Sequence, residues 1–477
     1  MIKWGGFQFS MFFFQKESQI PLYRQLYEQM RDQITEGIWK KNQKLPPTRN
    51  LAAEYHISRN TVIQAYEQLE VEGYVRAVTG SGYFVEDLQM LQRYSRQSNP
   101  KKPADQKEKQ SLKQQYDFYY GNLDYSCYRS KAWRRCLMDT YETLAMQKTA
   151  DLGETQGSKK LRRELGKYLS ISRGVRCSEE QIILTGGHKQ SVDLVARMFA
   201  GKEWKFAMED PGYDRTRLVM QQNGFPILPV PLEQDGISIS RVEKLSHTLL
   251  CVTPSHQFPM GAVLPAAKRY ALLQWAAERE SYLMEDDYDS ELRYHSLPIP
   301  SLQSMDHEDR TIYMGTFSKS LSPDLRVAYL VLPKKLLPEY QAVCSCRKCS
   351  VPTLIQNTLV SFMESGEYQK HINIMRTYYQ KKHDRIVQYF KENLAEKAIL
   401  HGENAGLHFV LELTKKVDPQ KFQEILEEKR VRIYPMQRFW MNPEDCPQQM
   451  YLIGFGALTM EELPTALERL RESIESE

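Results

Sequence analysis

Apolar positions near the start of the chain recur with helical spacing. Leu22, Leu26, Met30 and Ile34 stand four residues apart, with Pro21 suited to a first turn and Gly37 to an end, so a helix is predicted over 19–36. A short apolar group, Leu51, Ala52 and Tyr55, follows Thr48. A second, Val62, Ala65, Tyr66 and Leu69, follows Ser58 and closes at Gly73. Threonine and serine ahead of such groups read as helix caps, and the His56-Ile57 link leaves only a tight turn between the two helices. Residues 74–78 and 83–85 then read as two strands joined by Thr79-Gly80-Ser81-Gly82.

Residues 86–115 lose any apolar period and are rich in Gln, Lys and Ser. They are expected to form a flexible charged linker. From 116 onward strands and amphipathic helices alternate. Strands are predicted at 181–185, 206–208, 226–230, 248–253, 282–285, 312–314 and 327–332, and helices at 161–169, 190–199 and 269–280. This alternation predicts an α/β domain with a mainly parallel sheet. After Pro352 the pattern is helical to Leu394. Strands at 406–413, 431–434 and 450–455 with a helix at 419–429 then predict a small α+β subdomain. The expected organisation is a winged helix-turn-helix over 18–85, a linker over 86–115, and a large domain over 116–477 whose small C-terminal part begins at about 398.

A chain of 477 residues, 41% hydrophobic and 26% charged, has material for two to four globular domains. Net charge is +4, and the first 85 residues hold 10 Lys+Arg against 8 Asp+Glu, so a nucleic-acid surface has to be local. Cys344, Cys346 and Cys349 lie close together but no fourth ligand follows, so no metal is expected and the thiols read as reduced, as in a cytoplasmic protein. The aromatic opening lacks a cleavage site, and no apolar stretch of about 18 residues occurs.

Lys319 lies in Tyr313-Met314-Gly315-Thr316-Phe317-Ser318-Lys319-Ser320-Leu321-Ser322, between two apolar strands, with Arg326 seven positions on. Taken alone, a lysine reads as a solvated one. Between buried strands its amine loses solvation and its pKa falls, which equips it to form a Schiff base with an aldehyde. Thr316, Ser318 and Arg326 would suit a phosphate beside it. Glu285-Asp286-Asp287-Tyr288-Asp289 follows an apolar strand. An acidic run alone reads as a solvated loop, but a carboxylate at a strand's carboxyl end could pair with a protonated pyridine nitrogen. Thr185-Gly186-Gly187-His188-Lys189 joins a strand to a helix, where free N–H groups favour an anion.

At the N-terminus, Ser58, Arg59, Asn60 and Thr61 open the second short helix. Arg59 and Asn60 are types that reach base edges, and Arg49, Thr79 and Gly80 suit phosphates. Residues 20–85 resemble the GntR-type winged helix, through Pro21-Leu22-Tyr23, Leu45-Pro46-Pro47-Thr48-Arg49, Ile57-Ser58-Arg59-Asn60-Thr61-Val62 and Glu72-Gly73-Tyr74. Lys41 to Lys44 replace that pattern's glycine before the Leu-Pro pair. The Lys319 segment resembles the Schiff-base segment of fold-type I aminotransferases. Together the two resemblances are to the MocR/GabR type of regulator, a winged helix fused to an aminotransferase-like domain.

That resemblance implies pyridoxal 5′-phosphate on Lys319, with Asp286 at the ring nitrogen and Tyr288 at the ring oxygen. Gly187, His188 and Lys189 would face the phosphate, His188 and Lys189 standing where the family has Ser and Gln. Tyr213 would stack on the ring. The aminotransferase N-P-T-G turn lacks its asparagine at Pro254-Ser255-His256-Gln257, where His256 or Gln257 would stand in. Arg438, with Arg215 second, would take an effector's carboxylate. The resemblance implies a homodimer that binds operator DNA and senses an amino-acid-like or vitamin B6-linked effector. The alternatives are a working aminotransferase with an added domain, or a DNA-binding protein with an inert one.

Overall fold

The computed structural model describes residues 2–4, 7–9, 12–14, 20–87, 116–124, 130–146, 153–294, 299–345 and 347–476. Most of the expected linker, 88–115, lies outside the described residues. The chain divides into two compact units, Met1–Leu112 and Lys113–Glu477.

In the first unit, helices Leu22–Thr35, Thr48–Glu54 and Arg59–Val71 precede a hairpin of Val75–Val78 and Gly82–Val85. Leu26, Met30 and Ile34 bury their apolar stripe against Val62, Ala65, Tyr66 and Leu69, with Trp39, Val75 and Val85 closing the core. Thr48 is not a cap. The extended Pro47 takes the cap position, no side chain caps the helix, and Thr48 becomes its first residue. Ser58 is a cap: its Oγ accepts from Thr61 N at 3.0 Å and lies 2.8 Å from Thr61 Oγ1. Ser58→Ala should therefore lower this unit's stability by about 1 kcal/mol. The expected readout is a lower denaturant midpoint at unchanged slope.

The second unit is built on an eight-stranded mixed sheet. Its order is Ile182–Thr185, Ala328–Val331, Thr311–Thr316, Tyr282–Asp287, Thr248–Val252, Lys205–Asp210, Ile227–Glu233, Gly236–Ile237. The five neighbours from Thr311–Thr316 to Ile227–Glu233 run parallel, and Ala328–Val331 runs antiparallel to both strands beside it. Alternate residues feed cores on opposite faces: Met284, Ile312 and Met314 one, Leu283 and Tyr313 others. The strand predicted at 282–285 continues to Asp287, because parallel pairing persists through Asp286↔Met314 and Asp287↔Gly315.

The register brings several chain segments to one sheet edge. Ala328 is paired with both Thr185 and Thr316. The turn after Thr185, the loop after Thr316 and the end of Tyr282–Asp287 are therefore neighbours, at the edge where α/β sheets bind ligands. A smaller antiparallel sheet, Ala398–His401, His408–Leu413, Met450–Gly454 and Tyr434–Pro435, packs with the helices Glu367–Asn393 and Leu463–Glu475. Tyr116–Asp117 pairs in parallel with Val431–Arg432, which ties the start of this unit to its small subdomain.

Candidate functional site

A cavity of about 260 Å³ opens at that edge. His188, Lys189, Tyr213, Asp286, Tyr288, Thr316, Ser318, Lys319 and Arg326, drawn from five separate stretches of sequence, all line it. Tyr119, Tyr120, Gly121, Phe258, Asp289 and His408 also line it, and local pattern did not single these out.

Lys319 follows the strand Thr311–Thr316 in a turn held by Phe317 N donating to Val327 O at 3.0 Å and Leu321 N to Phe317 O at 2.8 Å. Its Nζ donates to Tyr120 O at 2.7 Å. Burial lowers the amine from 10.5 to about 8, with Asp289 pulling the other way. Thr316 and Ser318 bond each other, Oγ1 to Oγ at 3.0 Å. Two other hydroxyls of the segment serve the turn. Ser320 is held by Tyr368 and His371, and Ser322 caps the 3₁₀ turn Pro323–Leu325.

The acidic run separates by strand alternation and by partner. Glu285 accepts from Leu302 N at 2.8 Å and Gln303 N at 3.0 Å at the start of a short helix. Asp287 is neutralised by Arg173, whose Nε lies 2.7 Å away, and also accepts from Ser290 and Tyr313. Asp289 Oδ2 lies 2.8 Å from His256 Nδ1. Asp286 alone accepts no hydrogen bond from the described residues. The His188 imidazole lies beside it, with Nδ1 3.5 Å from Oδ2. Burial raises the Asp286 carboxyl above its usual range, and His188 opposes the shift.

Beside the cavity residues His188 and Lys189, Gly187 has φ +116° and precedes the helix His188–Phe199. A Cβ on Gly187 would stand 3.0 Å from Arg326 Nη2, so only glycine lets the guanidinium lie against this turn. The first N–H groups of a 12-residue helix, Lys189 and Arg326 together form a cationic end. The His188 side chain points elsewhere, with Nε2 2.9 Å from Thr216 Oγ1 and its ring edge-on to Tyr213 at 5.3 Å.

His256 and Gln257, both open as substitutes for the missing asparagine, have different surroundings. Gln257 is spent on Pro211 O, Phe258 O and Met260 N. His256 lies behind the cavity wall, with Nδ1 3.0 Å from Tyr288 OH. His408 is beside it, and burial lowers that imidazole to about 3. Neither candidate carboxylate-binding arginine is in the cavity lining. Arg438 Nε donates to Asp214 Oδ2 at 3.1 Å, and Arg215 Nε lies 3.9 Å from the same oxygen.

In the first unit, Arg49, Arg59, Asn60, Thr79 and Gly80 are exposed. Arg49, Arg59 and Asn60 enter no ion pair or side-chain hydrogen bond with the described residues, whereas the Ser58 and Thr61 hydroxyls are spent on the cap.

A winged helix joined to an aminotransferase-like fold, with a lysine and a buried carboxylate facing one cavity, defines a regulator of transcription built on an enzyme fold. Residues 22–85 match the bacterial regulatory proteins of the gntR family, and residues 114–470 match aminotransferase class I and II. The chain is 36% identical over 459 residues to the uncharacterized HTH-type transcriptional regulator YdeL of Bacillus subtilis, covering 96% of this chain and 98% of that one. It is 30% identical over 470 residues to the probable rhizopine catabolism regulatory protein MocR of Rhizobium meliloti, covering 96% and 94%. It is 32% identical to the pyridoxine biosynthesis transcriptional regulator PdxR of Corynebacterium glutamicum, over 83% and 84%. In fold it is similar to the multiple substrate aminotransferase of Thermococcus profundus, with a TM-score of 0.69 and 21% identity over 77% of this chain and 92% of that one. This chain belongs to the MocR type of GntR-family transcriptional regulators. Regulators with the GntR helix-turn-helix bind DNA, and class I and II aminotransferases depend on pyridoxal phosphate. No helix among the described residues is long and apolar enough to cross a membrane.

Proposed function

We propose that this chain regulates transcription in the cytoplasm as a homodimer. It binds operator DNA through Arg59 and Asn60, and senses an amino-acid-like effector through pyridoxal phosphate held at Lys319. The observation that carries the cofactor reading is the polarity of the cavity. Positive charge from the helix start, Lys189 and Arg326 shares one cavity with a buried carboxylate, Asp286, that accepts no hydrogen bond from the described residues. This donor set fits the cofactor, with the phosphate at the cationic end and the ring nitrogen at Asp286.

Bound there, pyridoxal phosphate supplies an aldehyde that captures an amine and a ring that draws electron density from it. The chain's own residues do the rest. Lys319 offers an amine whose lowered pKa leaves roughly one molecule in ten neutral at pH 7. Asp286 would hold a proton at the ring nitrogen, and Tyr288, backed by His256 and Asp289, would donate toward the ring oxygen. Tyr213 and Phe258, edge-on to each other at 5.2 Å, keep water from the ring.

Capture requires the neutral amine. The rate at which cofactor-free protein takes up pyridoxal phosphate should rise with pH and level off above about 8, the value to which burial lowers Lys319. Stopped-flow absorbance over about two pH units on either side of 8 would show it; a flat profile would remove Lys319 as the capturing amine. A footprint on the DNA upstream of its own gene, with and without candidate amino acids, tests the regulatory reading. Steady conversion of an amino acid and a keto acid, without any change in the footprint, would favour a working aminotransferase instead.

A further inference from the structure

The two arginines proposed for the effector's carboxylate converge on one acid. Asp214, the first residue of the helix Asp214–Gln222, follows directly on Tyr213 of the cavity wall and is 6% exposed. Its Oδ2 accepts from Arg438 Nε at 3.1 Å and lies 2.7 Å from Arg438 Nη2 and 3.9 Å from Arg215 Nε. No donor among the described residues satisfies its buried Oδ1, and Arg438 Nη2, though close to Oδ2, makes no hydrogen bond with it.

The backbone around Arg438 is held as firmly. Arg217 donates from Nη2 to Arg438 O at 2.6 Å and from Nη1 to Trp440 O at 2.7 Å, and Gly212 N donates to Phe439 O at 3.0 Å. Arg217 is thus committed to carbonyls, with Asp210 as its nearby charge partner. Arg438 is therefore anchored at its backbone and along the guanidinium edge that carries Nε and Nη2, while Nη1 makes no hydrogen bond with the described residues. A planar guanidinium fixed along one edge leaves its Nη1 end for a second carboxylate. The charge balance agrees: Arg438 and Arg215 against Asp214 leave one surplus positive charge, enough for one carboxylate.

We propose that Asp214 is a positioning residue that aims Arg438 at the effector, and that this cluster selects an amino compound carrying a single acidic group. The inference rests on the sensing role proposed above. The alternative is that Asp214 competes with the effector for Arg438. The two differ in sign, since removing a positioning acid weakens carboxylate binding whereas removing a competitor strengthens it.

The experiment titrates the visible spectrum of the cofactor-loaded full chain with glycine and, separately, with methylamine, which lacks the carboxylate. The ratio of their apparent affinities reads carboxylate recognition alone, and the methylamine response shows that a variant retains a working pocket. Asp214→Asn is expected to cut the glycine-to-methylamine ratio about tenfold with methylamine binding unchanged, as for the loss of one charge-assisted contact. Asp214→Glu should recover part of it. Arg438→Lys, which keeps the charge and loses the planar guanidinium, should lose the ratio too; if Asp214→Asn also loses methylamine, Asp214→Glu decides the matter, a ratio at or above that of the unsubstituted protein overturning the proposal. L-aspartate should gain nothing over L-alanine in the unsubstituted protein. An unchanged or increased ratio in Asp214→Asn overturns the proposal while leaving the sensing role intact. A protein whose spectrum responds to neither amine overturns both.

Discussion

Lys319→Ala is expected to abolish covalent cofactor attachment while leaving operator binding in place. Lys319 lines the cavity, placed there by the loop after Thr311–Thr316 and held by its bond to Tyr120 O. Borohydride treatment of the unsubstituted protein should fix the label on the peptide containing Lys319, and the variant should carry none. Asp286 and Arg326 remain, so the variant should still hold the cofactor non-covalently and more weakly. Label on another lysine would refute the assignment.

The same variant carries a signature in stability. Burial lowers the Lys319 amine from 10.5 to about 8 in the folded protein. Below about 8 the amine is charged in both folded and unfolded chains, and the cost of burying the charge is borne in full. Between about 8 and 10.5 the unfolded chain binds more protons than the folded one, so stability rises with pH. Cofactor-free unsubstituted protein should therefore gain stability relative to cofactor-free Lys319→Ala across that window, whatever their difference at pH 7. Parallel melting curves on either side of it, without convergence or divergence, would contradict this.

The second large effect is expected at the helix Arg59–Val71, proposed to enter the DNA groove. Arg59 and Asn60 stand exposed at the start of Arg59–Val71, with the Ser58 cap fixing the helix end behind them. A lost bidentate base contact costs about 1–3 kcal/mol, so Arg59→Ala should weaken operator binding roughly 5- to 150-fold and relax preference at one base position. Arg49→Ala should instead weaken all sequences alike and lower the slope of log affinity against log salt by about 0.9. Operator and scrambled DNA titrated at several salt concentrations separate the two. If Arg59→Ala weakens both DNAs equally, Arg59 is a backbone contact and the groove-facing assignment fails. In Lys319→Ala and Arg438→Ala, DNA should still bind but ignore the effector. A ligand can move DNA affinity only by its differential affinity for two arrangements, about 1–3 kcal/mol.

Much of this molecule was legible in local sequence, for a common physical reason. Strands and helices announce themselves by period, and sites in α/β sheets gather where strands end, so the Lys319 loop, the acidic run 285–289 and the Gly186-Gly187 turn could be located from the residues before them. Thr48 and Ser58 show the limit even for short-range features. Both look like caps, but the two prolines before Thr48 set the helix start one residue early, and only Ser58 accepts the capping bond.

The sequence by itself determined the strand and helix order, the two-unit plan and the chemical types gathered near the cavity. Only the tertiary structure decided which of these groups meet and which are already taken. Four acids between Glu285 and Asp289 are alike in sequence, yet one caps a helix, one pairs with Arg173 and one bonds His256, leaving Asp286 to the cavity. Tyr119 and Tyr120 reach the cavity because their segment is carried by a strand paired to Val431–Arg432, and the Tyr434 hydroxyl bonds Asp117 across 317 residues. Arg438 meets Asp214 across 224 residues. Periodicity reports which face of an element is buried. A charged or aromatic side chain's partner is set by contacts between distant segments, and those exist only once the chain has folded.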